Sequence, residues 1–154
     1  MEKLSQYIFR KDFECKCGCG LIKPEGIELI IPDYKNFQNI IFAVYDLVAG
    51  KWEAKITSGY RCPKWNEKIG GAKYSPHIFG LAIDFIVDMQ VRTEVIEYLK
   101  YLQKHINMRI GHKKYYPAPG HIHIDGMPIV AMALYHHDKI PLEVFSSYVR
   151  VKEW

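Results

Sequence analysis

The chain has 154 residues, a length that suits one domain with a buried core of its own. Hydrophobic residues make up 49% and charged residues 25% of the chain, which is ordinary globular usage and argues against disorder. The formal net charge of +4 suits an anionic partner. It falls short of the clustered basic surface of a nucleic-acid-binding protein, so we expect no nucleic-acid partner.

The N-terminal residues 1–13 mix charges with apolar side chains. No run of roughly 7–15 apolar residues follows them, so we expect no classical signal peptide and a protein that is cytoplasmic as made. The apolar stretches are too short to cross a bilayer. No repeat, low-complexity tract or long linker divides the chain, which predicts one domain over residues 1–154, and we expect a monomer.

The first half of the chain predicts a loop, a helix, a strand and a helical turn, in that order. Residues 14–20, with the sequence ECKCGCG, predict an irregular loop. From Asp33 to Ala49 apolar residues recur at helical spacing, with Asp33 predicted as the N-terminal cap and Gly50 as the C-terminal one. Residues 51–60 predict a strand that carries Ile56 and Ser58, and residues 62–71 a short helical turn.

The second half adds a buried strand over residues 81–87, interrupted by the single charge of Asp84, and a helix over residues 93–106. A short strand is predicted over residues 121–125, and one or two more strands in the tail over residues 127–154. His136 and His137 are adjacent, which on a strand points them to opposite faces, so we interpret them as surface residues. Strands and helices do not alternate cleanly, which favours the α+β class with a mainly antiparallel sheet and flanking helices.

Asp84 is the residue that most needs a partner. An ionised carboxylate inside an apolar strand is costly unless a paired charge or a metal compensates it. Side chains alternate along a strand, so His121, His123 and Asp125 share one face of the later strand. If the two strands are neighbours, Asp84 and a histidine converge. His77 lies seven residues before Asp84, and Gly80 lets the intervening loop fold back.

Two histidines and a carboxylate, with a fourth position left for water, form the arrangement of a zinc hydrolase. Such an ion lowers the pKa of its bound water to about 7 and polarises a carbonyl group. Each residue alone also has an ordinary explanation, as a core histidine, a strand-end carboxylate or a surface histidine pair. The combination indicates a metal site.

The motifs resemble those of the zinc D-Ala-D-Ala carboxypeptidases and their relatives: the phage L-alanyl-D-glutamate endopeptidases, the vancomycin-resistance dipeptidases and the hedgehog signalling domain. The resemblance runs from Phe13 to about Asp125. It rests on FECKCGCG, Ser58-Gly59-Tyr60-Arg61, Asn66, Gly70-Gly71, the block S-x-H-x-x-G-x-A-x-D at Ser75–Asp84, and H-x-H-x-D at His121–Asp125. It implies a hedgehog/DD-peptidase-like fold and a zinc-dependent peptidase that acts on peptidoglycan stem peptides.

Carried onto this sequence, the resemblance implies one zinc ion per chain, with His77, Asp84 and His123 as its ligands. It also implies that Arg61 polarises the substrate or binds its carboxylate, a role that suits the planar guanidinium group. Ser75, the first residue of its block, is predicted to contact the substrate.

The chain departs from the family pattern at one position. Many relatives carry an Asp or Glu general base three residues before the last zinc ligand, and here that position is Gly120. Other members carry a histidine two residues before the ligand, as this chain does at His121. We therefore predict that His121 transfers protons or stabilises an oxyanion. Asp125 lies about 6.6 Å along the strand from His123, too far for the same ion, so it is predicted to orient that ligand or to be a plain strand-end charge.

The four cysteines, Cys15, Cys17, Cys19 and Cys62, have three readings. We favour reduced structural thiols first and a disulfide of the Cys19–Cys62 type second. A second metal site is the third possibility, because the C-x-C-x-C spacing is tighter than the usual C-x₂₋₄-C spacing of a zinc site.

The overall prediction is a carboxypeptidase or an endolysin-type endopeptidase that reaches the cell wall after phage-type release. One alternative is a zinc-containing binding module of the same fold without catalysis, which Gly120 leaves open. The other is a structural or nucleic-acid-binding zinc protein built on the cysteines.

Overall fold

The centre of the protein is a four-stranded antiparallel sheet. The computed structural model describes residues 1–113 and 119–154. The strands are β1 (Ala54–Ser58), β2 (Ala82–Val87), β3 (Arg109–Gly111) and β4 (His121–Asp125), in the order β1-β2-β4-β3. β2 and β4 therefore lie side by side in the middle of the sheet, although 33 residues separate them along the chain from Val87 to His121.

Six helices surround this sheet in the described parts of the chain: α1 (Arg10–Phe13), α2 (Tyr34–Ala49), α3 (Pro63–Lys68), α4 (Arg92–Gln103), α5 (Met127–His136) and α6 (Leu142–Arg150). Two short 3₁₀ turns, Ile27–Leu29 and Pro76–Phe79, precede α2 and β2. The predicted α+β class with an antiparallel sheet is confirmed. Within the described ranges, none of the helices combines the length and the apolar character that a bilayer crossing requires.

The main core lies between one face of the sheet and the helices α2 and α4. It buries Ile83 and Phe85 from β2 and Ile122 and Ile124 from β4, all of them fully inaccessible to solvent. Strand alternation then sends the intervening residues of both strands to the opposite face. A second cluster joins α5 and α6 to the turn before β2, and Leu81 is buried in it.

The tail after β4 was predicted as strand and is helical instead, so that prediction is wrong. Met127–His136 is apolar on most of its faces, and periodicity alone does not separate such a run from a buried strand. Pro128 in its first turn favours a helix start. His136 and His137 are exposed, as predicted, but at the end of α5 and not on a strand.

Two smaller expectations also need correction. Asp33 occupies the N-terminal cap position of α2, but its side chain makes no capping hydrogen bond, and its backbone carbonyl accepts from Asn36 and Phe37 instead. The helix predicted to continue to Ile106 ends at Gln103. β3 was not predicted, because its three residues are too few to show an alternating pattern.

Two buried polar side chains on α2 fix the loop that leads into β2. The Tyr34 hydroxyl donates to the carbonyl of Phe79 at 2.7 Å. The Gln38 amide nitrogen donates to the carbonyl of Gly80 at 3.0 Å and to that of Ile22 at 2.9 Å. Gln38 is 4% exposed, so these carbonyls have little access to water as an alternative donor.

Replacing Gln38 with leucine keeps the volume but leaves the two carbonyls without this donor. We expect Gln38→Leu to lower the free energy of unfolding by about 1–3 kcal/mol, because unsatisfied buried acceptors lose their solvation. Urea unfolding followed by circular dichroism measures it. Gln90→Leu, at an exposed position, is the matched control and should be neutral. Equal unfolding midpoints for the two variants would contradict this role.

Candidate metal centre

The pairing of β2 with β4 brings the candidate ligands together. In this antiparallel register Asp84 lies directly opposite His123. Both side chains project from the sheet face that points away from the main core. The 3₁₀ turn before β2 brings His77 to the same place, where the chain turns back at Gly80 with φ of 69°.

The three predicted ligands, His77, Asp84 and His123, converge on one point. Asp84 Oδ1 lies 2.7 Å from His123 Nδ1, and Asp84 Oδ2 lies 3.0 Å from His77 Nε2. One ligand atom from each residue lies within 4.8 Å of the others. Both histidines are nearly inaccessible to solvent, and the Asp84 side chain is 14% exposed, so the cluster is buried but still open on one side.

The second nitrogen of each imidazole is held by an acceptor. His77 Nδ1 donates to the backbone carbonyl of Gly59 at 2.7 Å, and His123 Nε2 donates to Asp125 Oδ2 at 2.7 Å. A carbonyl can only accept, so Nδ1 of His77 carries a proton, which leaves Nε2 as the atom that would coordinate a metal. Such outer hydrogen bonds select the tautomer and the orientation of a metal-binding histidine.

The charges at the centre are strongly coupled. Burial raises the pKa of Asp84, but the charges of His77 and His123 outweigh it, and the net pKa is held well below its usual range. Burial lowers the pKa of His77, and Asp84 offsets this only in part. For His123 burial also lowers the pKa, but Asp84 and Asp125 together raise it to about 9.

Asp125 lies behind His123 in a fully buried network. Its carboxylate accepts a two-pronged hydrogen bond from Arg109 at 2.8–3.1 Å, and another from the backbone N–H of Met127 at 3.1 Å. The guanidinium group of Arg109 lies over the ring of Trp154, 4.5 Å from its centroid. The same ring lies 5.2 Å from that of His123. Together these contacts hold the His123 ring in place on the side of its Nε2.

Arg61 lies at the edge of the cluster. Its Nη1 donates to the side-chain oxygen of the buried Asn66 at 2.9 Å, while its Nε is buried without a hydrogen-bond partner among the described residues. Burial lowers the pKa of Arg61 and the nearby charge of Asp84 offsets this in part.

A cleft of about 410 Å³ begins beside Asn66 and is lined by Pro63, Asn66, Glu67, Gly71, Lys73 and Ile78. A larger cleft, of about 830 Å³, is lined by other residues, among them Trp52 and Val87, so we assign it no part in this site.

His121 and Ser75 occupy different positions around the ligands. His121 Nε2 lies 3.8 Å from Asp84 Oδ2, and the side chain is 12% exposed, so the imidazole lies directly beside the ligands. Ser75 is buried, and its hydroxyl accepts from the backbone N–H of His77 at 3.2 Å. Ser75 thus caps the turn that carries a ligand, which is a structural contact in addition to the predicted contact with substrate.

Gly120 marks the position where many relatives carry the acidic base. Its φ is 79°, and a β-carbon built there would lie 2.1 Å from the backbone oxygen of Val87. No side chain fits without movement of this backbone, so an acid is excluded here for a structural reason. The residues 114–118 just before it lie outside the described structure.

Three contributors were not predicted from the sequence: the Gly59 carbonyl, Arg109 and Trp154. The first is a backbone group with no sequence signal. Arg109 lies on the unpredicted strand β3, where it pairs with Asp125. Trp154 reaches the site because its backbone N–H donates to Ile110 at 3.0 Å, beside β3.

This donor set fits a zinc ion. Two imidazoles and a carboxylate meet at one point, their outer atoms are hydrogen-bonded, and one side stays open, which is the arrangement of a catalytic zinc site and not of a closed structural one. The geometry is that expected of a hydrolase-type metal centre. The chain belongs to the peptidase M15 family, a family of zinc metallopeptidases whose model matches residues 28–125, and this confirms the resemblance seen in the motifs. No curated protein and no solved structure matches the chain.

Replacing the ligand Asp84 should make the melting temperature less sensitive to removal of the metal. A bound ion stabilises the fold by about 2.7 kcal/mol when free metal is about 100-fold above the dissociation constant. At roughly 2–4 °C per kcal/mol for a chain of this size, chelation should lower the melting temperature of the native protein by about 5–10 °C. In Asp84→Asn, which loses the metal at this centre, the decrease on chelation should be clearly smaller. An equal decrease in both proteins, measured by calorimetry, would show that Asp84 holds no metal.

The Asp125 network generates a second prediction. Asp125→Asn keeps the shape but weakens the acceptor that orients His123, so zinc affinity at this centre should fall by about 10–100-fold. Competition with a coloured chelator, which separates sites by affinity, measures the change. Glu153→Gln is the matched control, because Glu153 accepts a hydrogen bond from His112 and contacts neither site histidine. The role is refuted if the two variants bind zinc equally well.

Proposed function

We propose that the protein hydrolyses peptide bonds in the stem peptides of bacterial peptidoglycan, as a zinc-dependent carboxypeptidase or endopeptidase with a hedgehog/DD-peptidase-like fold. One observation carries the proposal: the His77–Asp84–His123 cluster lies close enough to the Arg61 guanidinium group for Asp84 to interact with its charge, and the Arg61 Nε has no hydrogen-bond partner among the described residues. Membership of the peptidase M15 family supports peptide hydrolysis. The net charge of +4 supports attraction to an anionic cell wall.

His77, through Nε2, His123, through Nδ1, and one Asp84 oxygen would hold the zinc ion. When bound, zinc supplies a Lewis acid that polarises a carbonyl group and activates water. The hydrogen bonds to Gly59 and Asp125 hold both imidazoles in the orientation that metal binding would need. This preorganisation means that the centre needs little rearrangement on binding.

Arg61 would bind a carboxylate of the substrate. Asn66 fixes one edge of its guanidinium group, and the unpartnered Nε lies on the other. A planar guanidinium group binds a carboxylate through two parallel hydrogen bonds, which orients the ligand as well as attracting it. Stem peptides offer such a group at their end and on their acidic residues. Arg61 and the adjoining cleft thus place the peptide relative to the metal ligands.

His121 would transfer the proton that the leaving nitrogen needs. Its Nε2 lies beside the ligands, 3.8 Å from Asp84 Oδ2. An imidazole beside the metal ligands can accept a proton from water and pass it to the departing amine. Because Gly120 replaces the acid that serves this purpose in many relatives, His121 is our candidate for that function. Delivery to the wall by a separate release factor, as in phage lysis, is part of the same proposal.

Digestion of purified peptidoglycan tests the proposal. The metal-loaded protein should release peptide fragments whose masses identify the bond cut, and chelation should abolish their release. His121→Ala should lower kcat by about 10²–10⁴-fold with its metal content unchanged, because only proton transfer is lost. His136→Ala, at an exposed histidine at the end of α5, is the control and should remain fully active.

Two further results bear on the substrate and on the rival function. Arg61→Lys retains the charge but loses the two parallel hydrogen bonds, so KM should rise most for peptides with a free carboxylate and little for their amides.

Gly120 also supports a second candidate, a zinc-containing binding module without catalysis. That candidate would replace our proposal if the metal-loaded protein bound peptidoglycan and released no fragment.

A further inference from the structure

The four cysteines meet on the side of the protein where the N-terminal loop contacts the start of α3. Cys15, Cys17 and Cys19 lie in the loop that follows α1, and Cys62 immediately precedes α3. All four are free thiols, and their sulfur atoms lie within 4.8 Å of one another. The Cys17 and Cys62 sulfurs are 3.7 Å apart.

Backbone turns explain how the C-x-C-x-C spacing permits this. Residues 16–19 form consecutive turns, and Gly18 has φ of 92°, a left-handed conformation that side chains rarely adopt. The chain reverses between Cys17 and Cys19, so all three thiols point to the same side. The C-x-C-x-C spacing gives no indication of this turn, which is why the sequence alone ranks a metal site third among the interpretations of these cysteines.

The sulfur positions match a tetrahedral ion better than disulfides. A zinc–sulfur bond of about 2.3 Å corresponds to a sulfur–sulfur separation of about 3.8 Å along the edge of a tetrahedron. The Cys17–Cys62 separation agrees with that value, whereas a disulfide requires about 2.05 Å. A disulfide also joins sulfurs in pairs and gives no reason for four of them to share one site.

Burial raises the pKa of the Cys15 thiol to about 12, while hydrogen bonds from the backbone oppose this shift. The backbone N–H of Cys62 donates to the Cys15 sulfur at 3.2 Å, and that of Cys19 donates to the Cys17 sulfur at 3.3 Å. Lys16 donates to the carbonyl of Thr57 and Arg10 to that of Gly20, so two cations lie at the edges of the loop. Hydrogen bonds and nearby positive charge both stabilise metal-bound thiolates.

We propose that Cys15, Cys17, Cys19 and Cys62 form a second metal site, a structural tetrathiolate zinc site separate from the His77–Asp84–His123 centre. It raises the expected zinc content from one to two ions per chain. It would join the N-terminal loop to the segment Gly59–Cys62, to which the loop is also bonded through the N–H of Tyr60 and the carbonyl of Phe13, at 2.8 Å.

Metal analysis and cobalt spectroscopy of the full chain test this site. Protein purified under reducing conditions without chelator should contain two equivalents of zinc. After exchange with Co²⁺ it should show thiolate-to-cobalt charge-transfer absorption, which a site of two imidazoles and a carboxylate cannot produce. Cys17→Ser combined with Cys19→Ser should lose one equivalent and this absorption. Both positions are exposed, so the variant loses no core packing.

Two controls separate this site from the proposed catalytic centre. His77→Ala should also lose one equivalent but keep the charge-transfer absorption. Lys64→Ser changes an exposed residue two positions after Cys62, and it should keep both metals. The proposal is overturned if the native protein takes up Co²⁺ without charge-transfer absorption. It is equally overturned if alkylation and mass spectrometry of protein kept under reducing conditions find the four cysteines in disulfides.

Discussion

The antiparallel pairing of β2 with β4 is the constraint on which the site depends. It places the carboxylate of Asp84 opposite His123 in the middle of the sheet, with the main core against the other face. A slip of one residue would move every side chain of β2 to the wrong face and bury the carboxylate among isoleucines. The apolar alternation that stabilises the fold therefore also fixes the ligand geometry, because both depend on the same register.

The other charged side chains of the centre compensate the buried carboxylate of Asp84. Asp84 is matched by His77 and His123, and His123 is in turn held by Asp125, whose own charge is matched by Arg109. Each partner is buried, so removing one leaves another charge uncompensated, which is more costly than the net gain from the pair itself. Such a network does little for stability on its own. Its effect is to hold two imidazoles in one tautomer and one orientation.

Part of this arrangement could be predicted from the sequence and part could not. The helix α2, the strands β2 and β4 and the shared face of His121, His123 and Asp125 follow from local periodicity, and the structure has them where they were expected. The tail that forms α5 and α6 was mistaken for strand. α5 is apolar on most faces and has no diagnostic period, whereas α6 is amphipathic and its helical spacing was missed. Gln38, Arg109 and Trp154 act through contacts with distant segments, and no local pattern of residues encodes such contacts.

The short segment from Gly59 to Cys62 shows why these distant contacts matter for function. Gly59 accepts the hydrogen bond that orients His77, and the Arg61 backbone N–H donates to the His77 carbonyl at 3.1 Å. The Arg61 side chain lies at the edge of the metal centre, and the Cys62 sulfur belongs to the thiol cluster. Four consecutive residues therefore connect a metal ligand, the candidate carboxylate-binding group and the N-terminal loop. A shift in this segment would move His77 and Arg61 together, so the contacts that hold the N-terminal loop in place also bear on the positions of these two side chains.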